Sequence, residues 1–269
     1  MMNLDFALII SLLTLASGLV WSLDRLWLRK RRRAALESGR SDSDAPGKLV
    51  EYANSFFPLL LIVLLLRSFV FEPFKIPSGS MQPTLLIGDF IVVSKFSYGL
   101  RVPVLNTEIL KTGRPERGDV FVFRSVEQKG INMIKRVIGL PGDTITYRDK
   151  IVYVNGEPAE QTRVRAWIGE GINRNLPGSN PQLLTEQLGD VEHFILRHPG
   201  RVDGRARSWV VPEGHYFAMG DNRDRSHDSR GWGFVPEDHL VGRAERIWMH
   251  WDCARGWCVD FSRIGDKIE

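Results

Sequence analysis

Two long apolar runs, Phe6 to Leu23 and Tyr52 to Phe71, flank a block of arginines, an arrangement that commits the start of the chain to helices crossing a bilayer. Phe6 to Leu23 carries no charge. As a helix at about 1.5 Å per residue it spans roughly 27 Å, close to the hydrocarbon thickness. A cleavable signal peptide is the alternative, but such a peptide puts positive charge ahead of its apolar run. Here Met1 to Asp5 holds no Lys or Arg, and the arginines follow Leu23. The first helix (residues 1–24) is therefore expected to stay, with its N-terminus outside. The second (52–71) contains Arg67, and its charge-free stretch, Phe56 to Leu66, also suits an interfacial helix. Arg67 lies near the expected outer end, where a long side chain reaches the headgroups, and membrane helices tolerate Pro58. A second crossing is expected.

Residues 25 to 48 hold eight Lys/Arg against Glu37, Asp42 and Asp44, a net +5 in a chain whose total is +4. The remainder sums to −1, so the high pI is local. A nucleic-acid binder would spread basic residues over a folded face, whereas this block lies between two apolar anchors; residues 25–51 are expected to be a cytoplasmic loop, and no nucleic-acid partner is expected. Everything after Phe71 then lies outside the cytoplasm. In an oxidising compartment Cys253 and Cys258 are expected to bridge a small loop, Ala254 to Trp257, and two free thiols are the alternative, since spacing alone does not fix geometry. Two cysteines without a paired histidine motif make a metal site improbable.

Beyond Leu85 the chain reads as short β-branched or aromatic segments ended by turns: Phe90–Val93, Val120–Phe123, Ile134–Ile138, Thr144–Tyr147 and Ile151–Val154. Asn155-Gly156 closes one and Pro141-Gly142-Asp143 marks another tight turn. The expected fold is mainly β: two transmembrane helices, then an extracytoplasmic antiparallel β domain in two parts, 72–156 and 209–269. The Gly-, Asn- and Pro-rich stretch 157–208 is expected to be an inserted smaller subdomain or extended ribbon.

A serine hydroxyl needs a base to become a nucleophile. Lysine serves if it is neutral, and lowering it from about 10.4 to about 8 costs roughly 3.3 kcal/mol, which burial must supply. Lys135 has apolar company in Ile131, Met133, Ile134, Val137 and Ile138. On a strand it shares a face with Met133 and Val137, leaving Arg136 on the other face, free to pair with an acid. Taken singly, Lys135 also reads as a surface lysine, and Pro77-Ser78-Gly79-Ser80 as a plain turn.

Five blocks in order resemble bacterial type I signal peptidases, Ser/Lys-dyad serine proteases that remove leader peptides. They are the second membrane segment, Ser78 to Leu85, Arg117 to Phe123, Lys135 to Asp143, and Gly220 to Pro236. The resemblance implies Ser80 as nucleophile and Lys135 as general base. It also implies that Ser226 orients the lysine amine and that the Ser78 hydroxyl and Ser80 N–H form the oxyanion hole. Arg136 with Asp221, and Arg230 with Asp228, would brace the site. Phe74, Ile76, Pro77, Met81, Leu85 and Ile134 would wall shallow pockets for the small residues of an Ala-x-Ala peptide. The implied setting is the bacterial inner membrane, multi-pass, with the catalytic domain on the periplasmic side. Secretory preproteins and the lipid bilayer would be its partners, the translocation machinery would lie nearby, and no cofactor or metal is called for. Trp248, Trp251 and Trp257 suit a membrane interface, and core packing explains them as well.

Two rival readings exist. A self-cleaving regulator of the SOS-repressor type shares the dyad but not the membrane anchors, and the chain lacks an N-terminal DNA-reading helix pair. A tethered β-rich binding module would leave both serines in an inert turn. Ser226-His227-Asp228 holds triad residue types, but adjacent side chains point apart and cannot chain together.

Overall fold

The computed structural model describes residues 6–39, 45–101, 108–110, 112–169, 171–174, 180–200, 206–253 and 258–269. Arg40, Asp42, Asp44 and Trp257 fall outside these. The chain forms two compact units, one of residues 1–70 with 100–110 and one of 71–99 with 111–269.

The first unit contains α1 (Phe6–Leu23), whose helical path continues through a π turn at Asp24–Leu28 into α2 (Arg29–Glu37), and α3 (Lys48–Leu65), followed by a π turn at Leu66–Val70. Both long helices are apolar and long enough to cross a membrane. Their leucines, Leu12, Leu15, Leu19 and Leu59 among them, are exposed. The basic segment read as a loop is thus helical to Glu37; Asp24, buried, accepts a hydrogen bond from Arg32 at 2.6 Å, which ties the first basic turns together. Thr14 and Ser17 return their hydroxyls to Ile10 O and Leu13 O at 2.7 Å, so neither asks lipid for a partner. A Cβ on Gly18 would stand 2.8 Å from the Phe57 ring, and Trp21 meets that ring with centroids 5.2 Å apart. A small residue where two membrane helices touch lets dispersion do the packing.

The strands are β1 (Phe71–Lys75), β2 (Asp89–Ser94), β3 (Leu100–Arg101), β4 (Glu108–Leu110), β5 (Val120–Arg124), β6 (Asn132–Gly139), β7 (Thr144–Arg148), β8 (Ile151–Val154), β9 (Glu157–Pro158), β10 (Gln161–Ala166), β11 (Gln182–Leu188), β12 (Val191–Arg197), β13 (Arg207–Val210), β14 (His215–Met219), β15 (Val235–Pro236), β16 (Leu240–Trp251) and β17 (Val259–Asp260). The main sheet runs β1-β2-β16-β5-β6-β14-β15, with β17 on β16, and its strand pairs are antiparallel. This is the mainly β fold expected.

Alternation along β5 sends Val120 and Val122 into one core with Ile76, Met81, Leu85 and Ile91, and Phe121 and Phe123 into another with Val137 and Tyr216. In register, Phe121 stands opposite Lys135 and Val120 opposite Arg136, so consecutive β6 residues are committed to opposite faces.

Near the expected seam between core and insertion lies a second sheet. β7, β8 and β9 leave the main sheet and pair with β13 as a sheet of their own, in the order β13-β7-β8-β9. Asn155 and Gly156, with φ of 53° and 91°, make the tight β8–β9 turn, and Asn155 Oδ1 accepts from Thr144 N. The insertion's β10-β11-β12 sheet does not separate into a unit of its own. It is tied to the core by Leu196 N to Asp221 O and by Arg223 Nη1 to Glu186 Oε2 at 2.7 Å. Cys253 and Cys258 are joined in a disulfide, and the four residues between them fall outside the described part.

Candidate active site

Ser80 lies in a single 3-10 turn, Gly79–Met81, entered from an extended Ser78 (φ −134°, ψ 155°). The turn is pinned by the loop after β14. Asn222 N donates to Ser80 O and Asn222 Nδ2 to Gly79 O, both at 3.0 Å. Gly220 makes that approach possible, because a Cβ there would collide with Ser226 Oγ and stand 2.5 Å from Ser80 O. Gly220→Ala should push the loop off the serine and lower kcat/KM by about tenfold or more, measured on a purified preprotein with circular dichroism verifying the fold.

β6 carries Lys135 to this turn. Its Nζ is 2.9 Å from Ser80 Oγ and donates to Ile134 O at 2.8 Å. The lysine is only 3% exposed. Burial pushes its amine down to about 8, while the Asp228 and Asp221 charges pull weakly the other way. Ser78 Oγ lies 3.5 Å from Ser80 Oγ, on the edge of the same small space.

The opposite face of β6 carries Arg136, fully buried. Its Nε and Nη2 grip the two Asp221 oxygens at 2.9 and 2.8 Å, and its remaining donors reach Gly118 O and Glu269 O. Thr84 donates to Asp221 Oδ2 at 2.5 Å. Burial alone would raise the Asp221 carboxyl; the Arg136 charge and hydrogen bonds overcome it and hold it low. Asp228 behaves alike, its carboxyl held low by Arg230 at 2.8 Å, and it caps α4 (Ser229–Trp232) by accepting from Arg230 N.

Ser226 lies in the loop after β14, beside the dyad residues. The Lys135 amine bonds Ser80 Oγ and Ile134 O, and the buried Ser226 hydroxyl is directed to the Asp228 carboxyl, which it helps to hold low. Phe74, Ile76, Met81, Leu85 and Ile134 gather in one cluster beside the serine. Met81 and Leu85 are fully buried and Ile76 nearly so, which makes them a floor; Pro77 is exposed and Phe74 and Ile134 half-buried. His227 is exposed and pairs with Glu127, pointing away from any triad.

Sequence reasoning passed over Thr84, Gln82, Asn222 and the Glu186–Arg223–His193 group, all buried or half-buried around the site. Asn222 sat inside a quoted block, but nothing in its spacing marks it as a clamp on a serine 142 positions away, a relation visible only through its hydrogen bonds.

A family model described as signal peptidase, peptidase S26, matches residues 49–250. The chain is 43% identical to the signal peptidase I of Pseudomonas aeruginosa, over 98% of this chain and 99% of that protein. It is equally close to that of Pseudomonas fluorescens, over 98% and 99%. It is 40% identical to that of Buchnera aphidicola from Acyrthosiphon pisum, over 74% of each. With a hydroxyl, a buried amine and a braced sheet already in place, these likenesses show that the chain belongs to the signal peptidase I family of S26 serine peptidases, membrane-anchored enzymes that remove signal peptides from preproteins.

Proposed function

We propose that Ser80 and Lys135 form the catalytic dyad of this signal peptidase and cleave preproteins after an Ala-x-Ala segment through an acyl-enzyme. The carrying observation is the 2.9 Å contact between a serine oxygen and an amine that burial holds near pKa 8. With the amine neutral, the hydroxyl donates to its lone pair. Oγ attacks the scissile carbonyl carbon as the proton passes to Nζ. The resulting oxyanion is met by the Ser80 N–H and the Ser78 hydroxyl; one such donor is worth about 2.7–4 kcal/mol. Collapse expels the new N-terminal amine, which takes the proton back from Nζ, and leaves an ester on Ser80. Lys135 then deprotonates water to hydrolyse it.

Phe74, Pro77 and Ile134 offer accessible apolar surface to the small substrate residues, over a floor of Ile76, Met81 and Leu85 whose full burial excludes larger ones. Arg136–Asp221 and Arg230–Asp228 hold the strand and loop that present the dyad. The catalytic unit works on the periplasmic side of the inner membrane, near the translocation machinery. Supporting contact with lipid is a mostly apolar hollow of about 570 Å³ lined by Phe71, Val92, Phe96, Trp248 and Ile264, with Arg243, Glu245 and Arg246 also in its wall, and Trp251 and Phe261 are exposed as well.

The pH profile tests the dyad. Neutral Lys135 is the active form, so kcat/KM should rise tenfold per pH unit on the acid limb and level off near pH 8. A limb centred near pH 6.5, where a histidine titrates, or none between pH 6 and 9, defeats this role for Lys135.

A further inference from the structure

Within the insertion, the turn Gly171–Asn173 runs against the nucleophile loop. Asn173 is 5% exposed and both ends of its amide are engaged. Its Oδ1 accepts from Gln82 Nε2 and from Ile87 N, each at 2.8 Å, and its Nδ2 donates to Ile87 O at 3.1 Å. On its other side the turn is held by Ile172 N to Asp252 Oδ2 at 3.0 Å. Gln82, two residues past the serine and also buried, passes the restraint on. Its Oε1 accepts from Asn222 Nδ2 at 3.5 Å, and its amide packs where a Cβ on Gly79 would meet it at 3.0 Å. Asn222 in turn holds Gly79 O and Ser80 O.

We infer that Asn173, from the insertion, is a positioning residue for the nucleophile, acting through Gln82 and Asn222 on the Ser80 turn; this rests on the reading of Ser80 as the attacking group. Removing the Asn173 amide strands a buried donor, Gln82 Nε2, and a half-buried one, Ile87 N, which must find other acceptors. Gln82 then lets go of the Asn222 clamp and the serine turn drifts, and a misplacement of about 1 Å at a reacting atom costs about a hundredfold in rate. Substrate binding to the apolar wall is not touched, so the loss falls on kcat.

The test uses the full chain in detergent micelles with a purified preprotein. Asn173→Ala should lower kcat by about tenfold to a hundredfold, with KM within about threefold and the acid limb of the pH profile unmoved. Asn173→Asp, which keeps the acceptor for both donors but loses the donor to Ile87 O, should recover part of kcat. Gln82→Met should reproduce the loss, and the double variant should lose no more than either single one, as two links of one relay do. A merely structural role predicts instead a lower melting temperature with kcat per folded molecule unchanged, and that result overturns the inference, as does additivity of the two losses. If Asn173→Ala does not fold, Gln82→Met decides alone: unchanged kcat there sinks the relay. Ser80→Ala run in parallel separates the two ideas, since its retained activity would overturn the dyad, whereas its inactivity beside a fully active Asn173→Ala overturns only the role of the insertion.

Discussion

Ser80→Ala and Lys135→Ala are each expected to lower kcat/KM on a preprotein by at least about a thousandfold, and the double variant by no more than either alone. The hydroxyl and the amine are 2.9 Å apart, and as the proposed dyad they would act as one unit, so that either loss disables both. Lys135→Arg should be equally inactive, because a guanidinium stays charged at any working pH and cannot accept the proton. His227→Ala should keep full activity, its ring being exposed and engaged with Glu127. The same burial that makes the amine a base is a cost to the fold. The folded-state pKa is lowered, so the fold binds one proton fewer than the unfolded chain between about 8 and the ordinary lysine value. The cost is whole below about pH 8 and is relieved as pH rises through that window. Lys135→Met, of similar length, should therefore be inactive yet more stable at neutral pH, by up to roughly 3 kcal/mol. A fully active Lys135→Met would dismiss the dyad outright.

The second large effect concerns the pair beneath the dyad. Asp221→Ala leaves the Arg136 guanidinium buried with its charge unanswered, and breaking such a pair costs about 3–5 kcal/mol. Chemical denaturation of the full chain should register that loss, and Asp221→Ala combined with Arg136→Met should recover part of it by removing the orphaned charge. No recovery would mean that the guanidinium also serves through its bonds to Gly118 O and Glu269 O. The pH signature differs from that of catalysis. The Asp221 and Asp228 carboxyls are held low in the fold, so the stability they contribute is present above the unfolded carboxylate range and fades as pH falls through and below it. On the proposed dyad, activity should therefore fall as pH drops below about 8 on a folded enzyme, well before acid unfolds it.

The sequence alone carried the membrane helices, the β character, the order of the motifs and the split of Lys135 and Arg136 onto opposite faces. These are relations between near neighbours: an uncharged run, a charge block, an alternation of period two. The basic segment continues the helical path of α1, since arginine is a good helix former and nothing breaks the helix before Gly39, but a charge block by itself does not tell a helix from an irregular loop. Nor does the sequence say which sheet a strand joins: β7 and β13 read as strands of any sheet, and only pairing partners distinguish one sheet from another.

What tertiary structure decided is which distant atoms complete one another. Ser80 meets Lys135 across 55 positions, Arg136 meets Asp221 across 85, and Gln82 meets Asn173 across 91. Ser226 turns its hydroxyl to the Asp228 carboxyl, while Asn222, assigned nothing, clamps the serine turn. A buried polar group must be satisfied by whatever the fold brings within about 3 Å. The chain's local pattern says which residues will be buried, and the long-range packing alone says which of them will answer each other.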